Sequence, residues 1–267
     1  MAVRECSLKV ASFNIKWLSE RKVHDPDIMT VITKILLRYD LVLILELRSN
    51  ATDVMSRIVA DMNMLSTSPY GFKVSQPLGR TSYKEEYAFV YRFSKVTIQS
   101  VEQYDDGPDD HTDAFEREPF IIELRLPNTF SLTTFVFIGV HIKPSDAAAE
   151  ISHLVDVYRH VAATYHTQNI LIAGDMNADC AYMSANQLAS SPLHGGNFTW
   201  LIDSTADTTV STHTDCAYDR FIISGGKLKA AIVPGSARPY NFHQTMGLSF
   251  NQAWAVSDHY PIELEIV

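Results

Sequence analysis

The sequence predicts an α/β chain, of α+β character, in which two packed sheets are flanked by helices. Three features carry that expectation. Short apolar runs of strand length recur along the whole chain, and only three stretches are long and periodic enough to read as convincing helices. The 267 residues, 46% hydrophobic and 20% charged, suit one globular domain spanning 1–267, with no repeat or long linker to divide it.

In chain order, strands are expected at Leu8–Phe13, Leu41–Leu47, Tyr87–Tyr91, Val96–Val101, Phe120–Leu126, Thr134–Val140, Asn169–Ala173, Arg220–Ser224, Lys227–Val233 and Pro261–Val267. The last alternates Ile262, Leu264 and Ile266 with Glu263 and Glu265, the period of a half-buried strand. Ser224-Gly225-Gly226-Lys227 reads as a hairpin turn between two of them. The first helix starts at Asp25-Pro26 and carries Ile28, Val31, Ile32 and Ile35 at helical spacing. The second carries Met55, Ile58, Val59 and Met62. The third carries Ile151, Leu154, Val155, Tyr158, Ala162 and Tyr165. Such stripes are core faces, and many strands with few long helices point to two sheets with helices outside.

The net charge of −9 rules out attraction of nucleic acid by the overall field; binding an anion would need a local basic patch or bound cations. Three cysteines, Cys6, Cys180 and Cys216, without a CxxC pair argue against structural zinc. They leave open one disulfide with a free thiol, or three free thiols. The sequons Asn50-Ala51-Thr52 and Asn197-Phe198-Thr199 suit an extracellular glycoprotein. No transmembrane run is present and no membrane partner is expected. Nor does a signal peptide precede the first strand, so secretion is expected of a chain whose signal has been removed.

The chemistry lies where apolar runs stop. One ends at Asn14, another runs into Glu46, a third ends at His141, and a fourth ends at Asp175 with Asn177 two residues on. Asp219 precedes Arg220–Ser224, and Asp258-His259 precedes the final strand. A single such residue is an ordinary turn or cap. Six together describe one rim, because ionised groups beside a core need partners or a metal. Its oxygen-rich set, Glu46, Asp175, Asn177 and Asp258, suits Mg²⁺ or Ca²⁺ rather than zinc. Two histidines add proton transfer near neutral pH. Together they suit phosphodiester hydrolysis. The GxxxxGK[ST], HExxH, GxSxG and GxGxxG motifs are all absent.

These residues sit in longer motifs: SFNIK at Ser12–Lys16, YDLVLILELR at Tyr39–Arg48, SYKEEY at Ser82–Tyr87, QYDDG at Gln103–Gly107 and REPF at Arg117–Phe120. VHIKPSDAAAEI at Val140–Ile151, GDMNADCAY at Gly174–Tyr182, DCAYDR at Asp215–Arg220 and SDHYP at Ser257–Pro261 complete them. In these the chain resembles the deoxyribonuclease I family, secreted endonucleases of the endonuclease/exonuclease/phosphatase superfamily, nearly end to end. The resemblance implies a four-layer α/β/β/α sandwich of two packed mixed β-sheets. It also implies metal-dependent cutting of double-stranded DNA with little sequence specificity, leaving 5′-phosphate and 3′-hydroxyl ends.

Carried over by position, His141 and His259 match the catalytic histidines, oriented by Glu85 and Asp219. Glu46 matches the main ligand of Mg²⁺ (or Mn²⁺), and Asn14, Asp175, Asn177 and Asp258 match residues that hold metal or the scissile phosphate. Arg48 and Tyr83 match minor-groove contacts; Arg117 and Tyr218 match phosphate-side contacts. Asp106, Asp113, Phe115 through its carbonyl, and Glu118 match one structural Ca²⁺ site, and Asp207 and Thr209 another. Cys180 and Cys216 match a structural disulfide, with Cys6 unpaired. The loop over 107–113 reads GPDDHTD, without the family's small disulfide. Lys143 replaces a small residue and is expected to touch phosphate. Phe72-Lys73-Val74 and Phe120 replace a small apolar edge that binds actin, so weak or no actin binding is expected of a monomer. The rival readings are another phosphodiesterase of the superfamily, acting on phosphoinositides, sphingolipids or abasic sites, and a catalytically inactive homologue.

Overall fold

The structure, a computed structural model, describes residues 7–48, 50–108 and 113–267. Cys6 and positions 109–112 of the GPDDHTD loop lie outside the described residues. Twelve strands occur among the described residues: β1 Leu8–Leu18, β2 Leu41–Leu47, β3 Tyr70–Val74, β4 Glu86–Arg92, β5 Thr97–Gln103, β6 Phe120–Arg125, β7 Thr134–His141, β8 Ile170–Asp175, β9 Phe198–Trp200, β10 Asp219–Ser224, β11 Arg238–Pro239 and β12 Ile262–Ile266. The helices are α1 Glu20–Val23, α2 Pro26–Leu36, α3 Ala51–Leu65, α4 Ala147–Thr164, α5 Ala185–Ser190, α6 Gly226–Ala231, α7 Phe242–Thr245 and α8 Phe250–Val256.

Two six-stranded mixed sheets form, ordered β11-β12-β1-β2-β4-β3 and β5-β6-β7-β8-β10-β9. Each is antiparallel except for one central parallel pair, β1 with β2 and β7 with β8. Between the sheets lies an apolar layer including Val10, Leu43, Phe89, Phe120, Phe137, Leu171 and Phe221. The outer face of the first sheet packs on α2, α3, α7 and α8 through residues such as Phe13, Ile32, Ile58 and Phe242. The outer face of the second packs on α4 through Ile138, Ile151, Leu154 and Ile172. Each such side chain contributes roughly 1.5–3 kcal/mol by leaving water. The expected four layers are therefore present.

Asp25 caps α2, accepting from the backbone N–H groups of Asp27 and Ile28, with Pro26 at the first helical position. In α4 the buried stripe is Ala147, Glu150, Ile151, Leu154, Val157 and Val161. The expected Val155, Tyr158, Ala162 and Tyr165 flank it, half-buried.

One expected strand is a helix. Lys227–Val233 falls on α6, and Ser224-Gly-Gly-Lys227 is no hairpin turn. Gly225, at φ 93°, breaks the end of β10 and leads into α6; a Cβ there would sit 2.5 Å from the Gln168 carbonyl oxygen. Lys and Ala favour a helix, and the apolar alternation that suggested a strand is too short to override them.

Gly174 permits the closest backbone approach behind the rim. It has φ 152°, and a Cβ at that position would lie 1.8 Å from the Val140 carbonyl oxygen on β7. Gly174→Ala is expected to destabilise the fold by about 3 kcal/mol or more, read as a drop in the urea midpoint. An unchanged midpoint would contradict this reading of the β7–β8 contact.

Candidate active site

The register of the strands assembles the rim. His141 closes β7 opposite Asp175, which closes β8, and Asp175 lies opposite Asp219, the first residue of β10. Three chemically active residues thus stand in a row across three strands. The other sheet supplies Asn14 and Glu46. Pairing slips between Asn14 and Leu18, and between Ile44 and Leu47. Bulges of this kind re-aim side chains. Glu46 has φ 62° and Asn177 φ 48°, strained values for residues other than glycine, found here beside the rim. The turn before β12 delivers Asp258 and His259.

Asn14 joins the sheets: its Nδ2 donates to Glu46 Oε1 at 2.9 Å and to Asp175 Oδ2 at 3.1 Å. The two imidazoles are held alike. His141 Nδ1 lies 2.8 Å from Glu85 Oε2, and His259 Nδ1 lies 2.8 Å from Asp219 Oδ2. With each Nδ1 committed to a carboxylate, Nε2 is the atom free to exchange protons. Both Nε2 atoms lie 3.6 Å from the same oxygen, Asp175 Oδ2. Asp258 Oδ1 lies 4.0 Å from His259 Nε2, and its Oδ2 pairs with Lys16 at 2.6 Å. Asn177 is buried, donating from its backbone to Asp175 Oδ1 and from Nδ2 to the Ile142 carbonyl.

Burial pushes the Glu85 carboxyl up, but the hydrogen bond and charge of His141, then Arg117, bring it down to about 2. Burial opposes a charged His259 ring, yet Asp219, Asp175 and Asp258 outweigh it and raise the ring well above the usual imidazole range. Burial, and then the charge of Asp175, raise the Asp219 carboxyl against the pull of His259.

The oxygen donors fit a hard cation. Asn14 Oδ1 is buried with no hydrogen-bond partner among the described residues, and the carboxylates of Glu46 and Asp175 lie against the same amide. Asp175, Asp219 and His259 form the tight acid–imidazole group, with ligand atoms within 4.8 Å of one another; Glu46 joins it through Asn14.

Arg48 and Tyr83 stack, the guanidinium 3.6 Å from the ring centroid. Burial, then the charge of Glu85, pushes the Tyr83 phenol up to about 12. Tyr218 lies against His259, ring centroids 6.3 Å apart. Arg117 is buried; its Nε donates to the His141 carbonyl at 3.0 Å and lies 3.5 Å from Glu85. It therefore braces the imidazole–carboxylate pair from behind. Lys143 does not present a free charge to phosphate: its Nζ lies 3.2 Å from Glu116 and 3.1 Å from Asp146. Phe120 is not at an edge but in the inter-sheet core, stacked on Phe89. Only Lys73, exposed on the edge strand β3, remains to oppose an apolar partner there.

Away from the rim, Asp106, Asp113 and Glu118 bring carboxylate oxygens within 4.8 Å of one another. Asp106 Oδ2 accepts from the backbone of Ala114 and Phe115, Phe115 itself being buried. Arg80 already pairs with Asp113 at 2.7 Å. Asp113 Oδ2 and Asp106 Oδ1 have no hydrogen-bond partner among the described residues. Asp207 accepts from the backbone and hydroxyl of Thr209, a compact turn that brings two of the expected donors together. Cys180 and Cys216 form a disulfide, tying the segment after β8 to the segment before β10.

Three supporting residues were not singled out from sequence. The Tyr87 hydroxyl accepts from the His141 backbone N–H at 3.0 Å. The Ser257 hydroxyl donates to the Asn14 carbonyl and accepts from the N–H groups of Lys16 and His259. The Thr208 hydroxyl accepts from the N–H groups of Tyr218 and Asp219. Tyr87 and Ser257 lie inside the quoted motifs, but the Tyr87 bond to His141 and the Ser257 bonds to Asn14 and Lys16 join backbone far apart along the chain.

Residues 11–259 match the Endonuclease/Exonuclease/phosphatase family. Deoxyribonuclease-1 of Bos taurus is 41% identical over 97% of this chain and 92% of its own. Deoxyribonuclease-1-like 2 of Mus musculus is 41% identical over 97% of this chain and 91% of its own. Among solved structures, D. rerio TDP2 complexed with a single-strand DNA product superposes with a TM-score of 0.68 at 14% identity, over 98% of this chain and all 100% of that one. The human Nocturnin catalytic domain gives 0.65 at 13% identity, over 98% and 94%. These last two show the shared fold.

The depressed Glu85 has a consequence for stability. Its folded pKa of about 2 lies below the ordinary 4.5, so its contribution is present above pH 4.5 and is lost as pH falls through about 2. Glu85→Gln is expected to destabilise the fold by on the order of 2–3 kcal/mol at neutral pH. The urea midpoints of parent and variant should converge on acidification; a gap independent of pH would contradict the pairing.

Proposed function

The chain belongs to the endonuclease/exonuclease/phosphatase family, among the relatives of deoxyribonuclease-1, and we propose that it cuts DNA internally by hydrolysing phosphodiester bonds. The observation that carries this reading is the convergence of two carboxylate-held imidazoles, from separate segments, on one oxygen of Asp175. Hydrolysis at phosphorus needs a proton taken from water and a proton given to the departing 3′ oxygen. Each Nε2 can perform one of these transfers, because Glu85 and Asp219 fix the tautomer at Nδ1 and stabilise the charged ring. Arg117 and the Tyr87 hydroxyl hold His141 by its backbone, and Ser257 does the same for His259. The products carry 5′-phosphate and 3′-hydroxyl ends.

An acidic rim repels a phosphate, so substrate binding needs a cation to offset it. Glu46, Asp175, Asp258, Asn14 and Asn177 would hold Mg²⁺ or Mn²⁺, which supplies neutralisation of charge on the phosphoryl oxygens. Arg48 and Tyr83 flank the rim as minor-groove contacts and Tyr218 lies on the phosphate side, while the expected phosphate contact of Arg117 gives way to its bracing of His141 from behind; duplex cutting then depends on groove shape more than sequence. Asp106, Asp113, Glu118 and the Phe115 carbonyl would hold one stabilising Ca²⁺, and Asp207 with Thr209 another. The disulfide suits secretion into an oxidising compartment, and both sequon asparagines are exposed for glycosylation. Lys73 would leave a positive charge at the edge where apolar contact with actin is expected, so the monomeric enzyme would escape actin inhibition.

One assay tests these points. Supercoiled plasmid is expected to be nicked with Mg²⁺ and Ca²⁺ and spared with chelator. His141→Ala and His259→Ala should each lose about 10³-fold in rate with the fold intact. Monomeric actin should leave the rate unchanged. Chelation should also lower the melting temperature, which Asp113→Asn should make insensitive to Ca²⁺ at the first site. Undiminished nicking by either histidine variant would overturn the mechanism.

A further inference from the structure

Large apolar side chains left in water gather on one flank of the rim. Trp17 is 60% exposed, Trp254 40% and Phe250 37%, and two of the chain's three tryptophans are among them. Exposed indoles forgo a large burial gain, so their clustering calls for an occupant. Phe250 and Trp254 stack with ring centroids 5.5 Å apart. The Lys16 ammonium lies 5.3 Å from the Trp17 ring centroid and 4.9 Å from that of Trp254. That same ammonium pairs with Asp258, and the Trp17 backbone N–H donates to Glu46 Oε2 at 3.0 Å. The flank is therefore continuous with the carboxylates of the rim. Trp17 is held at φ 51°, a left-handed backbone that costs energy for a bulky residue, so the fold itself directs this ring outward.

Resting on the nuclease reading, we propose that Trp17, Trp254 and Phe250 form a stacking platform for unpaired nucleobases adjoining the phosphodiester at the rim. Every base offers an apolar π-face, and the strand that carries it is anionic. Ring faces with a cation set between them bind such a strand without reading its sequence. A duplex keeps its base faces stacked inside. The platform therefore serves single-stranded, nicked or frayed DNA, whereas Arg48 and Tyr83 serve the groove. Its placement beside Glu46 and Asp258 fits a segment of the substrate strand itself.

The test uses the full chain carrying His141→Ala, with Mg²⁺ present, so that the strand is held but not cut. A labelled oligodeoxythymidylate is titrated and followed by anisotropy, with and without Trp17→Ala or Trp254→Ala. Each tryptophan substitution is expected to weaken binding of the oligonucleotide by about tenfold. Unchanged oligonucleotide affinity in both variants overturns the platform, as does an effect confined to anionic lipid vesicles. If the parent fails to nick plasmid while its oligonucleotide binding still depends on the indoles, the nuclease reading falls and the platform stands.

Discussion

The carboxylate of Asp175 is the constraint on which the site depends. It closes a parallel strand at the centre of one sheet, and it receives Asn14 from the other sheet and faces both imidazoles. A buried charge in that position is costly unless its surroundings answer it. Here the answers come from donors carried on β1, β7 and the turn before β12, so electrostatics at one point fixes the relation of the two sheets. The apolar layer between the sheets supplies the stability that allows this crowding, and the disulfide locks the segments on either side of Asp175 and Asp219.

The price of the arrangement is local strain. Trp17, Glu46 and Asn177 all adopt positive φ, and all three lie at or next to the rim. Gly174 allows β8 to approach β7 more closely than any side chain would permit. Such conformations persist only where surrounding packing over-determines them. The buried ends of β1, β2, β7 and β8 provide that packing, which is why the chemistry sits at strand ends rather than on a free loop.

Much of this was legible in the sequence. Apolar runs ending in Asn14, Glu46, His141 and Asp175 marked the rim, since polar residues at the edge of a core need a reason. Helix stripes such as Met55, Ile58, Val59 and Met62 gave core faces directly. Strands β3, β9 and β11 were not seen, being short edges whose burial pattern is mixed. The helices α5 and α8 were legible but passed over: Ser184 with Gln187, and Ser249 with Gln252, form capping boxes at the spacing that marks a helix start. The Lys227–Val233 strand failed because a run of a few residues carries too little periodicity to separate helix from strand. Two of the site's inner supports, Tyr87 and Ser257, act through bonds to the backbone of His141, Asn14 and Lys16, far away in sequence, which no local pattern records. The inward use of Arg117 and the pairing of Lys143 also depend on partners that only the fold brings near.

The central claim is that both histidines act on one phosphate as a unit, and a double-mutant cycle in the plasmid-nicking assay measures it most directly. The account predicts that a chain carrying both His141→Ala and His259→Ala nicks no more slowly than the slower single variant, because losing either proton transfer already disables the shared step. Losses that multiply in the double variant would show two independent contributions, and would contradict a single assembled site.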